Sequence, residues 1–170
     1  MTNIWLDRIT SESNPWLNAI KMEDQGNYKE AITFYLKDAA ESVKQDFWTR
    51  AALSFSCAAH CYKEIKNQKA AQDLYEGVGI IYEQCADSVL GKSIRESLWF
   101  LEQSYEYFVL ALDKDRVNRV YEKYASLARK VNPFLGSEQV MKSLGTVGES
   151  AESTETLVIG GGSSEKSTVD

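Results

Sequence analysis

Apolar residues in this chain recur every three to four positions, and no strict two-residue alternation persists between Pro15 and Pro133. That period predicts helices and no sheet. The first helix is expected from Pro15 to Gln25, with Asn14 as its N-cap and Pro15 at its first position. Gly26 suits a left-handed cap, and Asn27 with Glu30 has the spacing of a capping box for a second helix. That helix carries Tyr28, Ala31, Ile32, Tyr35, Ala39 and Val43 on one stripe. Asp46 is expected to cap a third helix over 47–66, and Asn67 marks the turn into a fourth that ends at Gly91. Ser93 with Glu96 forms a second capping box for a fifth helix over 94–112. Asp113 or Asp115 caps a sixth, which stops at Val131 ahead of Pro133.

The helices differ in kind. The second, fourth and sixth have one apolar stripe. The third (Phe47, Trp48, Leu53, Phe55, Tyr62) and the fifth (Leu98, Trp99, Phe100, Tyr107, Leu110) are apolar on nearly every face. A helix apolar all round needs cover on more than one side. Inner helices alternating with outer ones describe a stack of antiparallel helical hairpins.

An internal repeat supports that arrangement. A shift of 40 residues carries Ala19 onto Ala59, Asn27 onto Asn67, Lys29 onto Lys69, Ala31 onto Ala71 and Tyr35 onto Tyr75. A further shift of 46 places Ala71 on Val117 and Tyr75 on Tyr121. The segment from Gly26 to Ile32, with Tyr35 after it and Ala19 before it, resembles the turn and second helix of the tetratricopeptide repeat. The second unit matches that family through Ala59, Tyr62, Ala71 and Tyr75, and the third more loosely through Phe108, Tyr121 and Tyr124. Its period departs from the family's. Longer helices of this kind are similar to the NSF-attachment (SNAP) branch of helical-hairpin proteins. The resemblance covers roughly Asn14 to Pro133, within an expected TPR-like helical domain over 14–136. It implies an all-α, right-handed stack of about three hairpins, a TPR-like α-solenoid, with no catalytic activity of its own.

Composition changes the picture at the ends. All 19 aromatic residues lie at or before Phe134, while the stretch from Ser137 holds five of the ten glycines and carries six acidic residues against two basic ones. So little to bury predicts a disordered acidic tail over 137–170. Truncation after Gly136 is then expected to leave helical content and thermal midpoint nearly unchanged. Residues 1–13, with Ile4, Trp5, Leu6 and Ile9, are expected to cap the first hairpin. The net charge of -6 argues against a broad nucleic-acid surface. No segment is long and apolar enough to span a membrane, no secretory signal is visible, and three cysteines suit free thiols, so a cytoplasmic location is expected.

Chemical motifs are few. Residues 86–93 match a relaxed phosphate loop, but a helix precedes them and Gly91 and Ser93 serve equally well as a helix stop and cap. Cys57, His60 and Cys61 share a helix face and, with Cys85, offer donors for zinc; buried cysteines in an apolar helix are the plainer explanation. No catalytic residue, metal or cofactor is expected. The resemblance implies a groove lined by the first helix of each hairpin. Carried over position by position, that groove is Trp16, Ile20 and Glu23, then Ser56, His60, Lys63 and Glu64, then Glu102 and Glu106. Its excess of carboxylates favours a basic or mixed peptide or helix of a protein partner. A SNAP-like protein would instead couple an AAA-type ATPase to a substrate, and a self-assembling homo-oligomer is a third use of the same surfaces.

Overall fold

The computed structural model describes residues 14–152, with side chains as far as Leu144. Seven helices follow one another: α1 (Pro15–Asp24), α2 (Tyr28–Lys44), α3 (Trp48–Glu64), α4 (Gln68–Val89), α5 (Ile94–Ala111), α6 (Lys114–Val131) and α7 (Ser137–Glu152). Each packs on the next in chain order, and there is no strand among the described residues. The expected N-terminal cap over 1–13 and the apolar triplet Leu157-Val158-Ile159 lie outside the described residues.

Several helix ends follow the capping chemistry of the sequence. Asn14 Oδ1 accepts from the amides of Trp16 and Leu17, Ser93 Oγ from Glu96, and Asp113 Oδ1 from Arg116. Two expected caps are corrected. Asn27 precedes α2 but its side chain makes no capping hydrogen bond. Asp46 does not cap α3; it ends α2 in the left-handed region at φ 57°.

Asp46 belongs to a turn used four times. Gly26, Asp46, Lys66 and Leu112 all have φ between 57° and 73°. In each, the left-handed residue's amide donates to the carbonyl three residues back, and the next amide donates five back, as Gly26 to Glu23 and Asn27 to Met22. This is the paired bond pattern of a Schellman turn. Gly26, Asp46 and Lys66 are 20 residues apart, half the repeat of 40. The turn after α4 is different: Leu90 stays right-handed, and Lys92 and Ser93 both donate to Val89.

The period changes after that turn. Ala19, Ala59, Ala31, Ala71, Tyr35 and Tyr75 are all buried, so the shift of 40 joins equivalent places. The shift of 46 is corrected. Tyr121 and Val117 are only half-buried, whereas Tyr124 and Val120 are buried in the core. A shift of 49 carries Ala59 onto buried Phe108, Ala71 onto Val120 and Tyr75 onto Tyr124.

Specific polar contacts fix the neighbours. Asp38 of α2, 4% exposed, accepts from Arg50 Nη2 at 2.8 Å, Arg50 Nε at 3.3 Å and Ser54 Oγ at 2.5 Å, all from α3. Asp38→Ala removes these charge-assisted bonds and is expected to cost about 1–3 kcal/mol in denaturant melts, with Asp38→Asn losing less. On the far side, Arg116, Arg119 and Lys123 of α6 pair with Glu76, Glu83 and Asp87 of α4. Exposed pairs of this kind contribute little each, but they engage three of the six cations of α6.

The tail boundary is also corrected. Ser137–Glu152 is helical, and Val140 and Leu144 are 0% and 3% exposed. They join Leu101 of α5 and Val120, Tyr124 and Leu127 of α6 in one core cluster. The helical body therefore continues past Gly136. Two apolar residues four apart are enough for one helix face to dock, even in a stretch poor in apolar residues.

Candidate functional site

Among the described residues, α1, α3 and α5 each leave one face uncovered. On α3 the spacing of Leu53, Ser56, His60, Lys63 and Glu64 puts them on one side, opposite the buried Ala51, Ser54, Ala58 and Cys61. On α5 the same logic groups Trp99, Gln103, Glu106 and Leu110 opposite Ser97, Leu101, Ser104 and Phe108. Leu53, Trp99 and Leu110 are 48%, 49% and 46% exposed, so both open faces carry large apolar side chains to water. The apolar excess that predicted full cover for these two helices is only partly covered.

A cleft of about 260 Å³ lies where four of the helices meet. Glu23 enters it from α1, Ser56, Cys57 and His60 from α3, Tyr75 from α4, and Tyr107 and Leu110 from α5. The Tyr75 and Tyr107 rings stand 6.0 Å apart at 33°, and Tyr107 stacks on Tyr82 at 5.7 Å. Glu23 is anchored through Oε2, which accepts the Tyr35 hydroxyl at 2.5 Å.

Glu23 is the carboxylate that lines the cleft, and no Lys or Arg lines it. Burial pushes the Cys57 thiol up, and the Glu23 carboxylate adds to the shift. The same two causes, in the same order, push Cys61 up to about 12. Burial also raises the phenols of Tyr75 and Tyr107, and Tyr82 reaches about 12 through burial and then Tyr107. At neutral pH these thiols stay protonated, the opposite of what a nucleophilic cysteine needs. Cys61 is buried with Ala19, Ala31 and Ala58 as a small core residue. Among the described residues no three or more His, Cys, Asp or Glu side chains gather to hold a metal ion, so Cys57, His60, Cys61 and Cys85 are not assembled into a site. Residues 86–93 run from the end of α4 through a turn to the Ser93 cap, without the strand a phosphate loop requires.

Of the nine residues expected to line a groove, Glu23, Ser56 and His60 meet at this cleft. Lys63 and Glu64 extend the open face of α3 beyond it, and Ile20 is exposed on α1. Trp16 is engaged elsewhere: its ring meets Tyr35 edge-on at 5.4 Å, and the Arg50 guanidinium lies 6.0 Å from its centroid. Glu102 is committed to α6, where it accepts the Tyr124 hydroxyl at 2.8 Å. Glu106 is half-buried, and its carboxyl is pushed up by burial and then by Glu102. Cys57, Tyr75, Tyr107 and Leu110 were absent from the expected set. Leu110, one turn on from Glu106, and Cys57, next to Ser56, could have been found from the spacing of residues already in it; Tyr75 and Tyr107 carried no such signal.

The Glu106 shift has a sign that can be checked. A carboxyl raised in the folded state holds its proton more tightly there than when unfolded. Its contribution to stability is therefore lost as pH rises from the ordinary glutamate value through the raised one. Glu106→Gln is expected to melt higher than the parent at pH 7, with the gap closing below pH 4. A constant gap across that range would remove the coupling.

No family model, curated protein or solved structure matches this chain. No helix among the described residues is long and apolar enough to cross a membrane.

Proposed function

We propose that the chain is a protein–protein adaptor whose α1–α6 form three tetratricopeptide-like hairpins and whose α1, α3 and α5 present a groove to a partner's helix or peptide. The observation that supports this most is the half-exposed Leu53 on α3 and Trp99 and Leu110 on α5, on faces that meet a cleft four helices share. Exposed apolar surface next to a concave site is where a partner's side chains find buried area. Of the groove walls, α3 and α5 are packed on both neighbours, so this side loses little ordering entropy on binding. The occupant is basic or mixed in charge, because Glu23, Glu64 and Glu106 outnumber Lys63 among the charged residues expected on the groove side that are not tied to α6.

Selection from a displayed library of helical peptides tests this. Bound sequences are expected to share one apolar stripe with flanking Lys or Arg. Leu53→Asp and Leu110→Asp should each abolish binding without moving the thermal midpoint, since both side chains are half in water already. Selected peptides indifferent to both substitutions would place the contact surface elsewhere.

A further inference from the structure

The cleft at the centre of the groove is built for one kind of side chain. Its walls are aromatic and apolar: Tyr75, 7% exposed, and half-buried Tyr107 line it with Leu110 beside them. Its charged group is the Glu23 carboxylate, and no Lys or Arg lines it. Lys63, on the same face of α3 as His60, is not among the lining residues. Glu23 is held in place by the Tyr35 hydroxyl, so its charge is fixed in position relative to the rings.

Resting on the groove proposal, we propose that this cleft is an arginine pocket, receiving one guanidinium of the partner between the tyrosine rings and the Glu23 carboxylate. A guanidinium is planar, weakly hydrated and always charged, so it stacks on an aromatic face while its fork donates to a carboxylate. Its aliphatic stem covers the apolar edge formed by Leu110 and the Cys57 side chain. A neutral apolar anchor would fill the same volume but leave the half-buried Glu23 without a cation. An acidic side chain would meet Glu23 directly.

Amide NMR of the full chain, titrated with N-acetyl-arginine amide, tests the pocket without knowledge of the partner. Saturable shifts are expected at Cys57, His60, Tyr75, Tyr107 and Leu110. The isosteric, uncharged N-acetyl-citrulline amide should bind about tenfold more weakly, and N-acetyl-glutamate amide should produce no saturable shift. Glu23→Gln keeps an acceptor for Tyr35 but removes the charge, and should weaken the arginine amide by about the same factor. Citrulline binding as tightly as arginine, shifts on another face, or indifference to Glu23→Gln in a variant that melts like the parent would each overturn the pocket. If library-selected helices still shift the open faces of α3 and α5 while the arginine amide does not bind, the pocket fails and the groove stands. If neither binds there, both fail.

Discussion

Truncation after Gly136 should lower the thermal midpoint by about 5–15 °C, and it should do so through two side chains. Val140 and Leu144 are buried against Leu101, Val120, Tyr124 and Leu127. Burying one such side chain fully contributes about 1.5–3 kcal/mol, and deletion also returns their four neighbours partly to water. The deleted helix recovers ordering entropy in the unfolded reference, which holds the net loss to about 2–4 kcal/mol. For a domain of this size each kcal/mol moves the midpoint by roughly 2–4 °C. The polar contacts add little: Ser143 Oγ is 3.3 Å from the Tyr124 hydroxyl, which already donates to Glu102 at 2.8 Å. Val140→Ser with Leu144→Ser in the full-length chain should therefore reproduce most of the loss. An unchanged midpoint in the truncated protein would return the boundary of the folded body to Gly136. A loss on truncation that the double substitution does not share would put the stabilisation somewhere other than this apolar contact.

The failure to read α7 from the sequence has a physical cause that recurs elsewhere in the chain. Composition averages over a window, and the window from Ser137 onward is rich in Gly, Ser and Thr. A capping helix needs only one short apolar face, and two residues four apart supply it. The turns show the same limit from another side. Gly26 announced a left-handed residue because only glycine adopts that region without strain, but Asp46, Lys66 and Leu112 adopt it too. Their turns are held by the same pair of backbone bonds, which no side-chain pattern reveals. What was legible rests on side chains acting directly on backbone or core: the caps Asn14, Ser93 and Asp113, and the small residues Ala19, Ala31, Ala59 and Ala71 at close helix contacts. The third unit was misaligned because Asp113 lies 46 residues after Asn67 while the buried tyrosine lies 49 after Tyr75, so helix start and core position no longer move together. At the candidate site, Glu23, Ser56 and His60 followed from the resemblance to the tetratricopeptide repeat, carried over position by position. Tyr75 and Tyr107 did not, because an aromatic residue at helical spacing looks the same whether it fills a core or walls a cleft.

Phe108→Ala should cost about 3–5 kcal/mol, the usual loss when a fully buried phenylalanine becomes a cavity. Its ring lies on Gly79 of α4, where a Cβ would come within 2.8 Å of two ring carbons. Ser104 Oγ donates to the Gly79 carbonyl at 2.8 Å one turn away, which pins α5 to α4 at that level. Gly79 thus sits in mid-helix for the sake of the ring, against an intrinsic penalty of about 1 kcal/mol relative to Ala. Gly77 has open space around its Cβ direction and no such reason. Gly77→Ala is therefore expected to stabilise by about 0.5–1 kcal/mol, while Gly79→Ala forces the ring aside and destabilises by about 1–3 kcal/mol. In a Phe108→Ala background the obstruction is gone, so Gly79→Ala should change sign and stabilise, by up to about 1 kcal/mol. Denaturant melts of the two single variants, the double variant and the parent close the cycle. Additive effects would mean that Gly79 and Phe108 do not meet, and with them would go the packing of α4 on α5 that sets Tyr75 and Tyr107 side by side at the cleft.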